Sequence, residues 1–450
     1  MLNRMTIRQS GRPTVPTLLL VALLALPAAA EQPAAAAPRS LTLDQAMSLA
    51  MAKNRDIEKA REYARYVQGR YVEERSAALP QLSLNGAAEL ARDESQQSLY
   101  GMPPRQYQRT LDITLSQPLF TWGRIRASIR AAEAGLKTAD EQLRLYQQAV
   151  YRDVSAAYYN ILLAKELQRF AAQNLAQKQR LLDQAQRKLA AGVATDYDVL
   201  AASVAVENAR PEVIRTENGI RTARERLRFL LALTGEEIDA VGSLDQPTRD
   251  RPVPSDFGQA LALAHSKRPE LADQRLRISQ YGELVTAAAA ENKPRLDLKG
   301  SAGWHWMDVT QAGSSLSSDG AAWRVGLYLS FPFFDGLRTN GRLAQVKSDL
   351  RTRQIEETRL QDAIALEVHD SWNALGEAAE IVQALSGTVR QAERLLQMAE
   401  MGYEYGVKNR LEVDDAQLNV QQALTNLARA LRDYRVARAS FEWAVGIAGE

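Results

Sequence analysis

Thr110-Leu111-Asp112-Ile113-Thr114-Leu115-Ser116 alternates strictly between polar and apolar side chains, and Gln117-Pro118-Leu119-Phe120-Thr121-Trp122 follows it. In a β-strand successive side chains point to opposite faces, so Leu111, Ile113 and Leu115 share one face and Thr110, Asp112, Thr114 and Ser116 the other. Just upstream, Pro80–Ala91 repeats the pattern, with Leu82, Leu84, Ala88 and Leu90 opposing Gln81, Ser83, Asn85 and Glu89. Strands of about ten residues, apolar on one face and polar on the other, are the sequence sign of a transmembrane barrel.

The same writing recurs with a constant shift of 214 residues, from Pro80-Gln81-Leu82-Ser83-Leu84 to Pro294-Arg295-Leu296-Asp297-Leu298. Leu115-Ser116-Gln117-Pro118-Leu119-Phe120 returns as Leu329-Ser330-Phe331-Pro332-Phe333-Phe334, and the shift holds from Ala46/Ala260 to Arg224/Arg438. A single offset over that length marks a tandem duplication. In the second copy Leu296, Leu298, Ala302, Trp304 and Trp306 oppose Asp297, Lys299, Ser301 and His305. Trp323, Val325, Leu327 and Leu329 likewise oppose Arg324, Tyr328 and Ser330. Aromatics flank the strands: Phe120, Trp122, Phe331, Phe333 and Phe334 at one end, and Trp304, Trp306 and Trp323 near the other. Such rings suit membrane interfaces. Between the strands of each pair, Arg92–Gln108 and Met307–Ala322 are polar and are expected to form extracellular loops.

Around each strand pair the chain reads as helix. Residues 42–79 form the first helical stretch, interrupted near Asn54-Arg55; the second copy has Arg268-Pro269 there, and proline disfavours helix in the residue before it. From about Arg124 to Ala191 there is no Pro and a single Gly135, which predicts a helix roughly 100 Å long. Its apolar positions step by three and four through Ile129, Ala132, Leu136, Ala139, Leu143, Tyr146 and Val150. The stripe continues after a four-residue step at Val154, Ala157, Ile161, Ala164, Ala171, Leu175, Leu182, Ala185 and Leu189. This is coiled-coil spacing with a stutter. Gly192 and Gly406 close the long helices, where glycine adopts a left-handed ending readily.

The ends and joints differ in character. Arg4, Arg8 and Arg12 precede an apolar run and Pro27-Ala28-Ala29-Ala30, so residues 1–30 read as a secretory signal peptide cut after Ala30. Its apolar core of roughly ten residues is too short for a membrane helix, which needs about twenty. Residues 31–40 are an Ala/Pro leader, 41–239 the first repeat, 240–254 a linker and 255–449 the second repeat. The full chain has 56 Lys+Arg and 54 Asp+Glu; the signal peptide removes three Arg and no acid, leaving 53 against 54. No basic patch points to nucleic acid.

Chemistry is excluded more than indicated. The absence of cysteine rules out thiol catalysis, thiolate metal sites and a lipid-anchored N-terminal Cys. His265, His305 and His369 lie far apart without metal-ligand spacing, and no GxxxxGK[ST] or GxGxxG loop occurs. Acid pairs such as Glu356-Glu357 read as a solvated helix face. We therefore expect no catalytic residue, metal or cofactor.

Four strands cannot close a transmembrane barrel, and an open sheet would leave unsatisfied edges in lipid. Several chains must contribute: two give eight strands, three twelve and four sixteen. A soluble periplasmic coiled-coil scaffold or adaptor is the competing reading, but an adaptor would need a lipoyl-like or small β-barrel domain between its helices.

The duplicated helix–strand–strand–helix plan resembles the TolC outer-membrane efflux family over nearly all of the mature chain. The turn sequences carry the resemblance: Leu189-Ala190-Ala191-Gly192-Val193-Ala194-Thr195-Asp196-Tyr197-Asp198-Val199-Leu200 and Tyr403-Glu404-Tyr405-Gly406-Val407-Lys408-Asn409-Arg410-Leu411-Glu412-Val413-Asp414-Asp415-Ala416. It implies a mainly α protein with a transmembrane β-barrel: a homotrimer with a shared twelve-stranded barrel in outer-membrane lipid, continuing into an α-barrel tunnel across the periplasm. It further implies docking on a periplasmic adaptor and an inner-membrane pump, with passive exit for drugs, metal ions or secreted polypeptides. The turns at Gly192-Val193 and Gly406-Val407 would then lie at the periplasmic tip and meet the adaptor. By the family's motif, Glu412 and Asp415 fall on an acidic ring at the pore entrance. A gate latch maps to Asp198, Tyr403 and Lys408, where Lys in place of Arg would give a less rigid, monodentate contact.

Overall fold

The computed structural model describes residues 39–92, 105–246, 253–254, 256–311 and 313–449. The expected signal peptide, nearly all of the leader, much of the first hairpin loop and part of the linker lie outside the described residues. In chain order the elements are β1 (Arg39–Leu41), α1 (Leu43–Lys53), α2 (Arg55–Ser76), β2 (Gln81–Arg92), β3 (Arg105–Phe120), α3 (Arg124–Ala190) and α4 (Asp196–Leu230). After β4 (Ile238–Ala240) come α5 (Phe257–Lys267), α6 (Pro269–Ala289), β5 (Arg295–Gln311), β6 (Ser314–Ser330), α7 (Arg338–Glu404) and α8 (Arg410–Ala444).

The duplication governs lengths as well as order. Helices α3 and α7 each have 67 residues, and α4 and α8 each have 35. Both repeats break their first helix at the same place, through different side chains. Asn54 caps α2 by accepting from the Asp56 and Ile57 N–H groups, and its Nδ2 donates to the Leu230 carbonyl at 2.8 Å. Arg268, 214 residues on, precedes Pro269 and donates through Nη1 to the Ala444 carbonyl at 3.1 Å. In each case a polar side chain at the break ties the last residue of the returning helix, satisfying a carbonyl that the helix end leaves free.

The cores repeat position for position. Ala46, Ala50, Ile57, Val150, Val154, Ile161, Leu227 and Leu231 are buried together in the first repeat. Ala260, Ala264, Leu271, Ile364, Val368, Leu375, Phe441 and Val445 are buried together in the second, each displaced by 214. The first core is enlarged by something the composition of the leader and linker concealed. Arg39–Leu41 and Ile238–Ala240, read as leader and linker margins, pair as a parallel two-stranded sheet with Leu41 opposite Ala240. Leu41, Ile238 and Ala240 are apolar and fully buried there, which outweighs the turn-rich character of their neighbours. Tyr158 donates to the Val241 carbonyl beside this ribbon, and burial pushes its pKa up to about 12.

β2, β3, β5 and β6 form one antiparallel sheet in that order. Its register aligns Leu84 with Ile113, Ile113 with Ala302 and Ala302 with Trp323, and aligns Leu111 with Trp304. The apolar residues of all four strands therefore fall on one face, while Ser83, Thr114, Ser301 and Arg324 align on the other. Every residue of β2 is exposed, and most of β6 as well, so among the described residues no other element covers these strands on either face. Gly303 is required by the pairing: a Cβ there would collide with the Leu111 carbonyl and the Asp112 side chain. In that space Asp112 reaches across the strands to His305 at 2.9 Å.

The polar stretch Met307–Ala322, expected as a loop, is instead mostly strand, with β5 running to Gln311 and β6 starting at Ser314. Polarity did not end the ladder because the polar groups pair across it: Ser317 donates to Asp308 at 2.5 Å, and Trp304 to Asp319 at 3.2 Å. The stripe on α3 is buried at Ala139, Val150, Val154, Ala157, Ile161 and Ala171, but departs from expectation near the start of the helix. Near its start the buried residues are Ala127, Ala131, Ala134, Gly135 and Thr138, whereas Ile129, Ala132 and Leu136 are half-buried. Small residues let α6 approach closely; a Cβ at Gly135 would come within 3.2 Å of Gln280 on α6.

Candidate functional site

Two features bear on function: the open sheet at one end and the paired helical turns at the other. Among the described residues no helix is long and apolar enough to cross a membrane. On β5 the apolar face runs from Leu296 to Trp304, which at about 3.3 Å per residue is roughly 26 Å of strand. That matches the apolar band of roughly 25 Å that a barrel presents to lipid, shortened somewhat by strand tilt. Above it the face turns polar, with Arg109 paired to Asp308 at 3.0 Å. Below it lie Phe120, packed edge-on against Trp122 at 5.2 Å, and then Phe331, Phe333 and Phe334.

At the far ends of the long helices both turns are built alike. Gly192 and Gly406 have φ of 74° and 73°, the left-handed conformation expected of a glycine after a helix. The N–H of Val193 returns to the Lys188 carbonyl at 2.9 Å and that of Val407 to the Gly402 carbonyl at 2.8 Å. The chain then re-enters helix through a capping box in each repeat, Thr195 with Asp198 and Asn409 with Glu412. Asp198 and Glu412 are thus the same position of the duplicated unit. The S/T-x-x-D pattern of Thr195-Asp196-Tyr197-Asp198 could have been read as that cap from the sequence.

The capping role sets the electrostatics. Thr195 donates to Asp198 from its backbone N–H at 2.8 Å and its hydroxyl at 2.7 Å. These bonds, aided by the charges of Arg410 and Lys188, hold the Asp198 carboxyl below its ordinary range. Glu412 is held low first by Lys408, whose Nζ donates at 2.7 Å, and then by the Asn409 N–H at 2.9 Å. Lys408 therefore spends its charge on its own turn. Tyr403 lies beneath Lys188 of the other turn, 5.9 Å from ring centre to Nζ. Asp414 is shared by Arg410 at 3.6 Å and Lys178 at 3.7 Å. Asp415 is exposed and makes no ion pair among the described residues. Asp198, Tyr403 and Lys408 are close in the fold but do not bond one another; the groups that bridge the two turns are Lys188, Arg410 and Lys178, which the motif reading did not single out. Val193, Tyr197, Tyr405 and Val407 stand exposed at the apex, from 73% to 82%.

A sheet with an apolar face, a polar face and two edges unpaired among the described residues, joined to a long helical stalk, has the features of an outer-membrane channel subunit. The model of the outer membrane efflux protein family matches residues 46–233 and 260–446, one match per repeat, and the chain belongs to that family. It is 23% identical over 381 residues to the outer membrane protein TolC of Vibrio cholerae, covering 84% of each chain. It is 24% identical over 400 residues to the outer membrane efflux protein BepC of Brucella suis, covering 88% of this chain and 84% of that one. The CmeC outer membrane channel of Campylobacter jejuni superposes with a TM-score of 0.77 at 16% identity, over 90% of this chain and 85% of that one. The protein is an outer-membrane efflux channel whose helical portion extends into the periplasm.

Proposed function

We propose that the chain is one protomer of a homotrimer whose three four-stranded sheets close a twelve-stranded barrel, giving passive exit to substrates delivered by an inner-membrane pump through a periplasmic adaptor. The observation that carries this reading is the sheet whose faces are uncovered and whose edge strands, β2 and β6, are unpaired among the described residues. In lipid those edge groups have no water to satisfy them, so they must pair with another copy. The duplication supplies the register. Leu111 pairs with Trp304 where the repeats meet, and moving each by 214 sets Val325 of one copy opposite Leu90 of the partner subunit. Both belong to the apolar face, as the closure requires.

Because the chain contains no cysteine, an introduced cysteine pair gives a clean test of this closure. A Leu90→Cys/Val325→Cys variant should yield covalent dimers and trimers on mild oxidation, and monomer alone would remove the closure. At the tip, the exposed turns Gly192-Val193 and Gly406-Val407 are proposed to meet the adaptor. Of the two acids assigned to the entrance ring, Asp415 is the one whose charge is free; Glu412 is neutralised by Lys408. The latch is proposed to work through Asp198 facing Arg410 and Tyr403 beneath Lys188, with Lys408 steadying its own turn. In planar bilayers Asp415→Ala should weaken cation selectivity and block by a trivalent cation more than Glu412→Ala does. Equal effects would return both acids to the solvated helix ends. The channel acts by conduction and catalyses no reaction.

A further inference from the structure

Where the barrel meets the stalk, the chain carries a collar of cations directly below a rim of exposed aromatics. Phe331, Phe333 and Phe334 are 55%, 87% and 75% exposed, and Trp122 is 51% exposed. With Lys293 they line a groove of about 420 Å³. A second groove of about 460 Å³ beside it is lined by Arg124, Arg338 and Arg342. Two acids line the same grooves: Glu291 pairs with Arg342 at 3.1 Å, and Asp335, which feels the charge of Arg338, accepts from the Thr339 N–H at 3.0 Å, so the cations remain in excess. Lys293, Arg124 and Arg338 make no ion pair among the described residues. The placement runs against local helix energetics. Arg124 and Arg338 open α3 and α7, at the positive end of the helix dipole, and neither helix has an acid in its first turn. The first acids come only at Glu133 and Asp349. Both long helices thus begin with cations at the positive end of the dipole, offset at Arg338 by Asp335 and at Arg124 by no first-turn acid, immediately below the face proposed to meet lipid.

We propose that this collar binds the phosphate of phospholipids in the periplasmic leaflet of the outer membrane, with Lys293, Arg124 and Arg338 on the headgroup and Trp122, Phe331, Phe333 and Phe334 against the glycerol and upper acyl chain. The inference rests on the reading that the sheet spans the outer membrane with the helices on the periplasmic side. Continuity with the apolar band fixes the height of the collar, and charge complementarity fixes the ligand: aromatic rings favour the interface, and long cationic side chains next to it reach phosphate. Each cation lost near an anionic surface should weaken binding about fivefold.

The test is native mass spectrometry of the purified full-length assembly titrated with phosphatidylglycerol, phosphatidylcholine or glycerol-1-phosphate. We expect the wild type to retain phosphatidylglycerol. The Lys293→Gln/Arg124→Gln/Arg338→Gln variant should lose at least tenfold in affinity. Phe333→Ser/Phe334→Ser should weaken lipid binding while leaving any glycerol-1-phosphate binding unchanged. Unchanged lipid retention in the triple variant overturns the proposal, as does glycerol-1-phosphate competing as well as the lipid, which would mean a free-phosphate site. If the triple variant does not assemble, exposed Lys293→Gln alone should show the fivefold loss, and no loss there is equally decisive. The same spectra report oligomer mass, so trimers with unaltered lipid binding refute the collar alone, whereas monomers refute the assembly beneath it.

Discussion

The first repeat and the second share lengths, breaks, turns and core positions, yet their long helices live in different surroundings. Helix α3 packs against α1, α2, α4, α6 and α8 of its own chain and buries eighteen residues; α7 packs against α5, α6 and α8 and buries eight. The reason is geometric. Helix α6 lies between α3 and α7 and touches both, whereas α2, its counterpart, touches α3 and finds no second long helix in the chain. One instruction written twice gives two equal units, but only the inner junction between them is satisfied within one molecule. The outer junction on α2 and α7, like the strand edges on β2 and β6, is open among the described residues and in the proposed trimer would be filled by another copy. In the proposed trimer, duplication followed by self-association would use each interface twice, once inside the chain and once between chains.

The largest effects should come from matched core positions. Phe441 is 1% exposed and Leu227 0%, and they occupy the same place in the two repeats. Phe441→Ala should cost about 3–5 kcal/mol and Leu227→Ala about 2–5 kcal/mol, measured by denaturant unfolding of the detergent-solubilised protein. A loss in one repeat with tolerance in the other would mean that the matched clusters are not equivalent.

Next come the barrel faces. Ile113 and Leu327 are also matched by the 214-residue shift, and both lie on the apolar face. Ile113→Arg and Leu327→Arg should each cost roughly 2–4 kcal/mol near mid-bilayer, and Thr114→Arg on the opposite face much less. Yield of heat-resistant oligomer reads this directly; equal loss on both faces would invert or abolish the assigned register.

The smallest effects belong to the turns. Thr195→Ala and Asn409→Ala each remove the cap of a returning helix and should cost about 1 kcal/mol, visible as faster amide exchange in residues 195–200 or 409–414. Asp198 and Glu412 have folded pKa values below their ordinary ones. Their stabilising contribution is therefore present above the unfolded pKa of about 4 and lost as pH falls through the folded value. Amide protection at both tips should drop in that acid window while protection near Val154 and Val368 persists. A tip indifferent to acid would show that these carboxylates do not hold the turns.

Much of this was legible in the residues. Strict alternation around Ile113 and Leu327, the constant offset, the proline- and cysteine-free long helices and the glycines at 192 and 406 determined the strands, the repeat, the stalk and the turns, because each follows from local periodicity or from backbone conformation. What only the tertiary structure decided depends on groups distant in sequence. The β1–β4 ribbon joins residues 39–41 to 238–240, too short a run at either place to carry a period. The hairpin reaching Gln311 depends on polar groups such as Asp308 and Ser317 that pair across strands, where composition alone suggests a loop. The small-residue face at the start of α3 is chosen by the approach of α6, which there overrides the heptad stripe that holds further along the helix. The partners of Lys408 and Tyr403 were settled by the juxtaposition of two turns: a motif specifies which residues are present, but electrostatic pairing goes to whichever opposite charge the fold brings within reach.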